Sequence, residues 1–535
     1  MLLSNLSVEA FRSRLFVFVA PLLLLFIYLI GLDQSHLFDV DEGAFTEATR
    51  EMLVSGDWLH TTLNGIDRFD KPIGVYWLQA ISSFIFGNNE FAFRLPSALS
   101  GWISSLALAF FAYKKWGPRA AVFAALISAT SLGPWAMART ATADALLGLF
   151  FVLSFLDLWR ALESQNLFYS RRLSVWVGLG LLVKGPVAVV VPLGALVFYY
   201  WNVPASRNHI KKIIFDMWSW GILLLIAMPW YTYAYLRHGQ LFIDGFFLKH
   251  NVERFTGSLE GHSGSWLYFL IAMPLLWLPW SFMGLKAFSN FHNFWQQPFL
   301  KFAWIWFGFV FIFFSLANTK LPHYLLYAAP AVCCLMTVTA LHADRWTWAL
   351  SCFFGFVSLA FLLFLPSFLL SHLELIKNDF YIKLFQDADE VQFWKWLYVL
   401  PLFLLIAYSL NQLLKRLDFF HIKDQFVLGF LSLTVFQSSV LALVVLPWWS
   451  HTLQSPVHAL AMSVKNRSEN LVQWGVHFPS ISTYRQNETP KRDPLPGELA
   501  LVKNLNSDWP SDAILIETRG PLSVIQLPAQ QSSKP

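Results

Sequence analysis

The sequence predicts a polytopic α-helical membrane protein that ends in a small α/β domain. Three observations support this prediction. Of the 535 residues, 56% are hydrophobic and only 13% are charged, whereas soluble globular domains carry roughly 25% charged residues. Apolar runs that suit a hydrocarbon layer of roughly 30 Å recur along the chain. The runs stop near residue 446, and short alternating segments follow them.

Hydropathy predicts about 13 transmembrane helices. They cover residues 15–32, 93–111, 120–135, 143–159, 173–183, 187–201, 213–233, 266–283, 302–316, 324–341, 346–370, 393–413 and 426–446. The first run follows two arginines in the manner of a signal peptide, but no small-x-small cleavage site comes after it, so we expect an uncleaved helix. The two runs that flank Gly185-Pro186 form either two helices or one broken helix.

Loop charges decide between these two alternatives. With an intracellular amino terminus and a full turn at Gly185-Pro186, the intracellular loops are basic and poor in acids along the whole chain, as the positive-inside rule requires. The functional outer loops are then residues 33–75, 234–265 and 317–323. We divide the chain into a membrane domain, residues 1–446, and an outer domain, residues 447–535. The second domain has short alternating runs between Pro, Gly, Asn and Asp, which predict α/β or mostly β structure.

Composition also limits the function. The net charge of +5 is the excess expected from the intracellular loops of a membrane protein, and it does not indicate a nucleic-acid partner. The three cysteines all lie in apolar runs, which excludes a disulfide framework. The sequence contains no P-loop, dinucleotide fingerprint or serine-centred elbow. A nucleotide substrate on the cytoplasmic side is therefore unsupported.

The densest polar segment, residues 39–71, follows the first span. Long loops are uncommon without a function, and dense charge beside a membrane indicates chemistry at its surface. Asp41 has two interpretations, an amino-terminal cap of a helix that runs to Leu53 or a functional carboxylate, and we favour the second. Glu47 and Glu51 lie one turn apart, and we expect them on the solvent face of that helix.

Cations are spread over the same outer loops. Lys71 either reaches lipid headgroups or binds a phosphate as a point charge. Lys184 lies between two apolar runs, where a lone lysine is costly unless it faces a cavity or an anion. Arg139 and Asp144 bracket a turn, as a local ion pair or as part of a site. The full set of candidates comprises the carboxylates Asp41 and Asp144 with Lys71, Arg139, Lys184, Arg254, Lys320 and Tyr324; so many cations suit a phosphate or pyrophosphate group.

Histidines raise the question of a metal. His250 and His323 lie in outer loops that also contain acids, and these residue types allow a divalent metal site. A single histidine in such a loop is more often structural than a ligand. The sequence also lacks a tight His/Cys spacing, so the pattern alone indicates a metal only weakly.

The order of motifs in these loops resembles a known family. DE-x-x-F-x-E-x-x-R-E-M begins at Asp41, and SGDW, NG, DKP, YWL and E-F-A-x-R-L-P-S-A follow it up to Ala98. Further matches are Lys184-Gly185-Pro186, residues 250–255 and residues 320–324, with a similar tail at residues 478–484. The chain is similar to the GT-C fold glycosyltransferases that use polyprenol-phosphate sugars. It most resembles the aminoarabinose transferases that modify lipid A, with the protein O-mannosyltransferases as wider relatives.

The resemblance implies inverting transfer of a sugar from undecaprenyl phosphate to lipid A or another cell-envelope glycolipid, at the periplasmic face of the bacterial inner membrane. Asp41 and Asp144 are then the catalytic carboxylates, and the cations and Tyr324 hold the donor phosphate. Asp41 removes the proton of a hydroxyl acceptor, or it orients a substrate if the acceptor is an ionised lipid phosphate. The alternatives are a protein O-mannosyltransferase-like enzyme and a lipid or solute transporter, since broken helices occur in transporters.

Two residues depart from the family pattern. Phe45 stands where the family usually has tyrosine, and Asp70 stands where it usually has glutamate. In the aminoarabinose branch, that glutamate and a histidine matching His250 can hold a metal. The resemblance therefore implies a zinc-like site at Asp70 and His250, with an aspartate that is one methylene shorter than the usual ligand.

Overall fold

The structure is a computed structural model that describes residues 20–253, 264–265, 267–388, 401, 405, 408, 424–504 and 509–528. Arg254 and almost all of the expected span 393–413 lie outside this part of the chain. Within it, helices dominate, and two sheets of two and four strands accompany them.

The first outer loop contains a helix and a short hairpin. Its elements and their neighbours are α1 (Ala20–Leu29), α2 (Asp41–Ser55), β1 (Thr62–Leu63), β2 (Ile66–Asp67) and α3 (Gly74–Phe86). Two acidic residues begin α2, where negative charge favours the positive end of the helix dipole. The helix ends at Gly56, whose φ of 71° suits a left-handed cap. The strands pair antiparallel around Asn64-Gly65, a dipeptide typical of tight hairpins.

Helices occupy the predicted spans in the rest of the described membrane region. They are α4 (Glu90–Trp116), α5 (Pro118–Thr130), α6 (Leu132–Met137), α7 (Asp144–Ser164), α8 (Leu167–Lys184), α9 (Val187–Asn202), α10 (Arg207–Ile214), α11 (Met217–His238), α12 (Gln240–Phe242), α13 (Tyr268–Leu276), α14 (Ser281–Ser289), α15 (Phe291–Trp295), α16 (Pro298–Leu316), α17 (Ala329–His342), α18 (Arg345–Ser371), α19 (Asp379–Gln386), α20 (Gln425–Val440) and α21 (Leu446–Ser463). A π-helix, Ile243–Glu253, continues α12, and a 3-10 helix, Pro322–Ala328, precedes α17.

By length and composition, six helical segments of the described residues suit a membrane crossing, or seven if one bent pair counts as a span. They are Glu90–Trp116, Asp144–Ser164, Pro298–Leu316, Pro322–His342, Arg345–Ser371 and Gln425–Ser463. This criterion does not confirm the expected number of about 13 helices. Several expected spans are short or carry charges; α8, for example, contains Arg171, Arg172 and Lys184.

The chain turns between α8 and α9. These helices pack against each other and against α7. Gly185 adopts a φ of 85° at the turn, and a side chain there would collide with the ring of Phe246. The two apolar runs that flank Gly185-Pro186 are therefore separate helices.

The last predicted span does not end at residue 446. α20 continues through the π-helical turn Leu441–Val445 into α21, so that one helical segment runs from Gln425 to Ser463. Pro447 and Trp448, just past the predicted end, are buried. The proposed boundary between the two domains falls inside this helix, and the division itself stays a prediction.

The carboxyl-terminal segment forms the larger sheet. Its elements are β3 (Leu471–Gln473), α22 (Ser480–Arg485), β4 (Leu499–Lys503), β5 (Ile514–Arg519) and β6 (Leu522–Gln526), with strand order β3-β4-β6-β5. Only β3 and β4 pair in parallel. Leu499 and Leu501 pack with Val457 of α21, whereas Ala500 belongs to a cluster on the other face, as the two-residue period of a strand requires. α22 packs against α2 and so reaches the first outer loop.

Candidate active site at the start of α2

A cavity of about 280 Å³ lies beside the start of α2. Three of the predicted site residues, Asp41, Arg139 and Asp144, line it. A smaller cavity of about 60 Å³ shares Asp144 and His323 with it and extends between α4 and α7. The first outer loop, the turn before α7 and the turn before α17 therefore meet at one place.

Asp41 is presented to this cavity and does not cap its helix. It is the first residue of α2, its side chain is exposed, and Val40 occupies the cap position without a side-chain hydrogen bond. Glu42 reaches back along the chain, and its Oε2 accepts from the backbone N–H of Phe38, ahead of the helix, at 2.9 Å. The capping interpretation of Asp41 is therefore wrong.

Glu42 and Arg94 form the frame that holds this corner together. Both are buried, and Arg94 donates from Nε and Nη2 to the Glu42 carboxylate at 2.9 and 2.8 Å. The remaining donors of Arg94 bind the carbonyls of Leu32, Ser35 and His36. Glu42 also accepts the backbone N–H of Ala141 at 2.7 Å. A two-pronged ion pair of this kind fixes direction as well as distance, so it joins the first loop, α4 and the turn before α7.

Asp144 lies in an ion pair with Lys184. Its Oδ1 contacts Lys184 Nζ and accepts from Tyr327 Oη at 3.3 Å, and His323 Nε2 lies 3.7 Å away. The ammonium of Lys184 is also 5.6 Å from the ring centre of Tyr327 and 5.9 Å from that of Tyr324. Lys184, which we expected to face a cavity or an anion, thus pairs with a carboxylate that lines the cavity. The local ion pair predicted between Arg139 and Asp144 does not form.

Arg139 is buried with one donor unsatisfied. Its two terminal nitrogens donate to the carbonyls of Tyr28 and Ile30 at 3.1 and 2.6 Å, while its Nε has no hydrogen-bond partner. Burial, together with the nearby charge of Arg94, lowers the pKa of Arg139 to about 9. The side chain still lines the cavity as a cation below that pH, which suits an anionic ligand.

The remaining phosphate candidates lie in different surroundings. Lys71 donates to the carbonyl of Asp70 at 2.9 Å. Lys320 is buried and donates to the carbonyls of Phe314 and Ser315 at 3.3 and 2.6 Å, so it caps the end of α16. Burial lowers the pKa of Lys320. Tyr324 packs on Phe314, with the ring centres 4.8 Å apart.

The proposed metal ligands Asp70 and His250 contact each other directly. His250 Nε2 lies 2.7 Å from Asp70 Oδ1, and Arg68 lies 3.0 Å from Oδ2. Burial opposes ionisation of Asp70, but the hydrogen bond from His250 and the charge of Arg68 outweigh it, so the pKa of Asp70 is held below its usual range. The pair supplies two ligand atoms, whereas zinc sites in proteins normally have at least three from the protein. Metal binding here stays a prediction, and no step below depends on it.

Glu47 and Glu51 are not on a solvent face. Glu47 is buried against Arg50, at 2.9 and 2.7 Å. Glu51 accepts the backbone N–H of Asn64 at 2.5 Å and that of Gly65 at 3.3 Å. The expectation was wrong because the β1–β2 hairpin, which follows α2, and α22, which is distant in sequence, cover this face of α2.

Sequence reasoning assigned no role to Glu42 or Arg94, and it considered His323 only as a metal ligand, although all three line the cavity. Each lies inside a motif that carries the family resemblance. A further signal was present for Arg94, since a charged residue within an apolar helix such as α4 requires a partner.

Comparison with known proteins finds relatives of part of the chain. A family model described as dolichyl-phosphate-mannose-protein mannosyltransferase matches residues 70–233. An undecaprenyl phosphate-alpha-4-amino-4-deoxy-L-arabinose arabinosyl transferase of Shewanella sediminis is 30% identical over 319 residues, which are 58% of this chain and 56% of that protein. An uncharacterized protein of Aquifex aeolicus is 32% identical over 321 residues and is covered over 71% of its length. Over the parts that these matches cover, the chain is similar to transferases that use polyprenyl-phosphate-linked sugars.

The fold matches a solved structure over almost the whole chain. The crystal structure of ArnT from Cupriavidus metallidurans bound to undecaprenyl phosphate has a TM-score of 0.77 at 21% identity, over 96% of this chain and 98% of that one. The expected GT-C membrane fold is thereby confirmed. The sequence matches extend over less of each protein than the structural match does. The chain spans a little over half the length of the first curated relatives, 56% in two cases.

Proposed function

We propose that this GT-C protein transfers a sugar from an undecaprenyl-phosphate donor to lipid A or another cell-envelope glycolipid, at the periplasmic face of the inner membrane and with inversion. One observation carries the proposal: a single cavity is lined by the exposed Asp41, by the partly unsatisfied Arg139 and by Asp144, whose carboxylate is paired with Lys184. Sugar transfer from a phosphate needs a group that takes the acceptor proton and cations that stabilise the charge of the leaving phosphate. Carboxylates and cations supply these two roles.

The acceptor oxygen attacks the anomeric carbon as the bond to the phosphate oxygen breaks. Undecaprenyl phosphate leaves with the bonding electron pair and gains one negative charge. Lys184 and Arg139 stabilise this charge, and Lys71 is a further candidate. If the acceptor is a hydroxyl, its proton passes to Asp41. If it is a lipid phosphate, it is already ionised, and Asp41 orients a substrate instead.

A second candidate acceptor is the hydroxyl of a protein side chain. The family model that matches residues 70–233 carries the description of a protein mannosyltransferase, and this match favours it. The chemistry at the anomeric carbon is the same, but the acceptor is always a hydroxyl. With a hydroxyl acceptor, Asp41 always acts as the base that removes the acceptor proton.

Mass analysis of envelope lipids and glycoproteins tests the proposal. Cells with the protein should contain a glycan or lipid A species whose mass exceeds the unmodified species by one sugar, and cells with Asp41→Asn should lack it. Modified lipid A supports the first candidate, and a modified protein supports the second. Identical lipids, glycans and proteins in both strains would contradict both.

A further inference from the structure

A second group of metal-ligating side chains lies on the first outer loop. His60 precedes β1, Asp67 ends β2 and His238 ends α11. None of the three lines the cavity described above, and none belongs to the Asp70–His250 pair. Three separate elements thus bring two imidazoles and one carboxylate together.

The distances within this group are close to those around an ion. His60 Nε2 lies 2.9 Å from Asp67 Oδ1, and His238 Nδ1 lies 3.4 Å from Asp67 Oδ2. One ligand atom from each residue lies within 4.8 Å of the other two. Tetrahedral zinc with bonds of about 2.0–2.2 Å separates its ligand atoms by roughly 3.4 Å. Small rotations of the two rings therefore suffice to admit the ion.

The three side chains differ in exposure, so the group they form is open to water on the side of Asp67. His60 and His238 are 11% and 10% exposed, whereas Asp67 is 45% exposed. The two rings stack with their centres 4.5 Å apart, and the ring of Phe69 meets His238 edge-on at 5.1 Å. Imidazoles held in an apolar wall, with a carboxylate facing water, match a site that has three protein ligands and one water.

His238 faces Asp67 through Nδ1, whereas its buried Nε2 has no hydrogen-bond partner among the described residues. No hydrogen bond at Nε2 therefore opposes the small ring rotation that admits an ion. The neighbouring cation Arg237 is paired with Asp57, which reduces its repulsion of a bound metal.

We propose that His60, Asp67 and His238 bind a divalent transition metal, with zinc as the best match for two imidazoles and a carboxylate. The ion ties the β1–β2 hairpin to the end of α11. The π-helix that carries His250 begins five residues further on. The metal thereby fixes the base of the second outer loop against the first, independently of the transfer reaction.

Metal titration of the purified full chain tests the site. After chelator treatment, the wild-type protein should bind about one equivalent of Co²⁺ with tetrahedral absorption bands, and Zn²⁺ should displace it. Asp67→Asn and the double variant His60→Gln/His238→Gln should bind at least about tenfold more weakly. The matched control Asp70→Asn/His250→Gln should still bind about one equivalent of Co²⁺, whether or not the Asp70–His250 pair takes a second ion.

Melting curves provide a second readout. Added Zn²⁺ should raise the Tm of the wild type and of the Asp70→Asn/His250→Gln control, but not that of Asp67→Asn, because a ligand that binds only the folded state stabilises it. Asp67 is half exposed, so its replacement by asparagine should leave the fold intact. Failure of the wild type to bind a stoichiometric ion, or loss of binding in the control alone, would overturn the proposal.

Discussion

At the scale of single residues, two aspartates share one cavity but differ in their surroundings. Asp144 forms an ion pair with Lys184 and accepts a hydrogen bond from Tyr327, so its negative charge is neutralised by a cation. Asp41 is exposed at the start of α2, whereas its neighbour Glu42 is buried in the pair with Arg94. Asp41 is therefore the better base, and Asp144 is better suited to position Lys184.

We predict that Asp41→Asn keeps its fold and loses most of its activity. Asparagine preserves the shape and removes the charge and the basicity, and general-base catalysis is typically worth 10²–10⁴-fold. The measurements are sugar transfer and Tm for the purified variant. Asp493→Asn, which removes an exposed charge on the carboxyl-terminal segment, is the control and should be as active as the wild type. Near-normal transfer by Asp41→Asn would exclude a catalytic role.

Lys184→Ala and Lys71→Ala should weaken donor binding and transfer by about 10- to 100-fold each, since a charge-assisted contact is worth roughly 1.5–3 kcal/mol. Lys184→Ala also leaves Asp144 without its cation, so Asp144→Asn/Lys184→Ala is needed to separate folding from binding. The exposed Lys377→Ala is the control. Normal donor affinity in both single variants would show that neither lysine binds the donor phosphate.

At the scale of elements, α2 shows where sequence reasoning succeeds and where it fails. The helix, its acidic start and its end near residue 55 follow from local patterns. Its faces do not, because α22 lies more than 400 residues away and still covers Glu47 through Thr483, at 3.3 Å. Charge spacing predicts a solvent face only when no distant segment packs there.

Glu51→Ala should destabilise the protein because it leaves the backbone N–H groups of Asn64 and Gly65 without an acceptor. Loss of a buried acceptor costs about 1–3 kcal/mol, which should appear as a clear drop in Tm. Glu51→Gln retains one acceptor oxygen and should be milder. An unchanged Tm for Glu51→Ala would show that the hairpin is not held by this residue.

Asp39 should make the contact between α2 and α22 sensitive to pH. Its carboxylate accepts from the backbone N–H of Ser480 at 2.9 Å and from the Ser480 hydroxyl. Burial raises the pKa of Asp39 to about 7, although the Ser480 hydrogen bonds oppose this. The folded state then binds a proton more tightly than the unfolded state, so this group lowers stability as pH rises from about 4 to about 7.

Melting curves at several pH values check this sign. The wild-type Tm should fall between pH 5 and pH 8 by more than that of Asp39→Asn, which does not titrate at this position. Glu47, whose pKa burial also raises to about 7 despite Arg50, remains in both proteins and contributes equally. A steeper pH dependence in Asp39→Asn would contradict the assignment.

At the scale of the whole molecule, the sequence predicts most of the helices but not where the last one ends. Hydropathy falls after residue 446, yet the helix continues to Ser463 because its polar residues are covered by protein. Ser450 and Gln454, for example, are buried. The sequence named Asp41 and Asp144 among a larger set of candidates, whereas the Glu42–Arg94 frame required three-dimensional contacts.

Topology follows from the loop charges and makes a simple prediction. An export-dependent reporter fused to the carboxyl end of the full chain should be active, since the acid-rich loop and the carboxyl-terminal sheet are expected on the same outer side. A cytoplasm-dependent reporter at the same point is the control and should be inactive. The reverse result would move the cavity to the cytoplasmic side.

Release of undecaprenyl phosphate from a sugar-linked donor tests the central claim most directly. The purified full chain, reconstituted in lipid with donor and acceptor, should release undecaprenyl phosphate and sugar-modified acceptor in equal amounts, with the reaction nearly abolished in Asp41→Asn. A transporter would move the donor across the bilayer without cleaving it. Intact donor after incubation with wild-type protein and a full panel of lipid A, glycolipid and protein acceptors would contradict the assignment of this cavity as the site of sugar transfer.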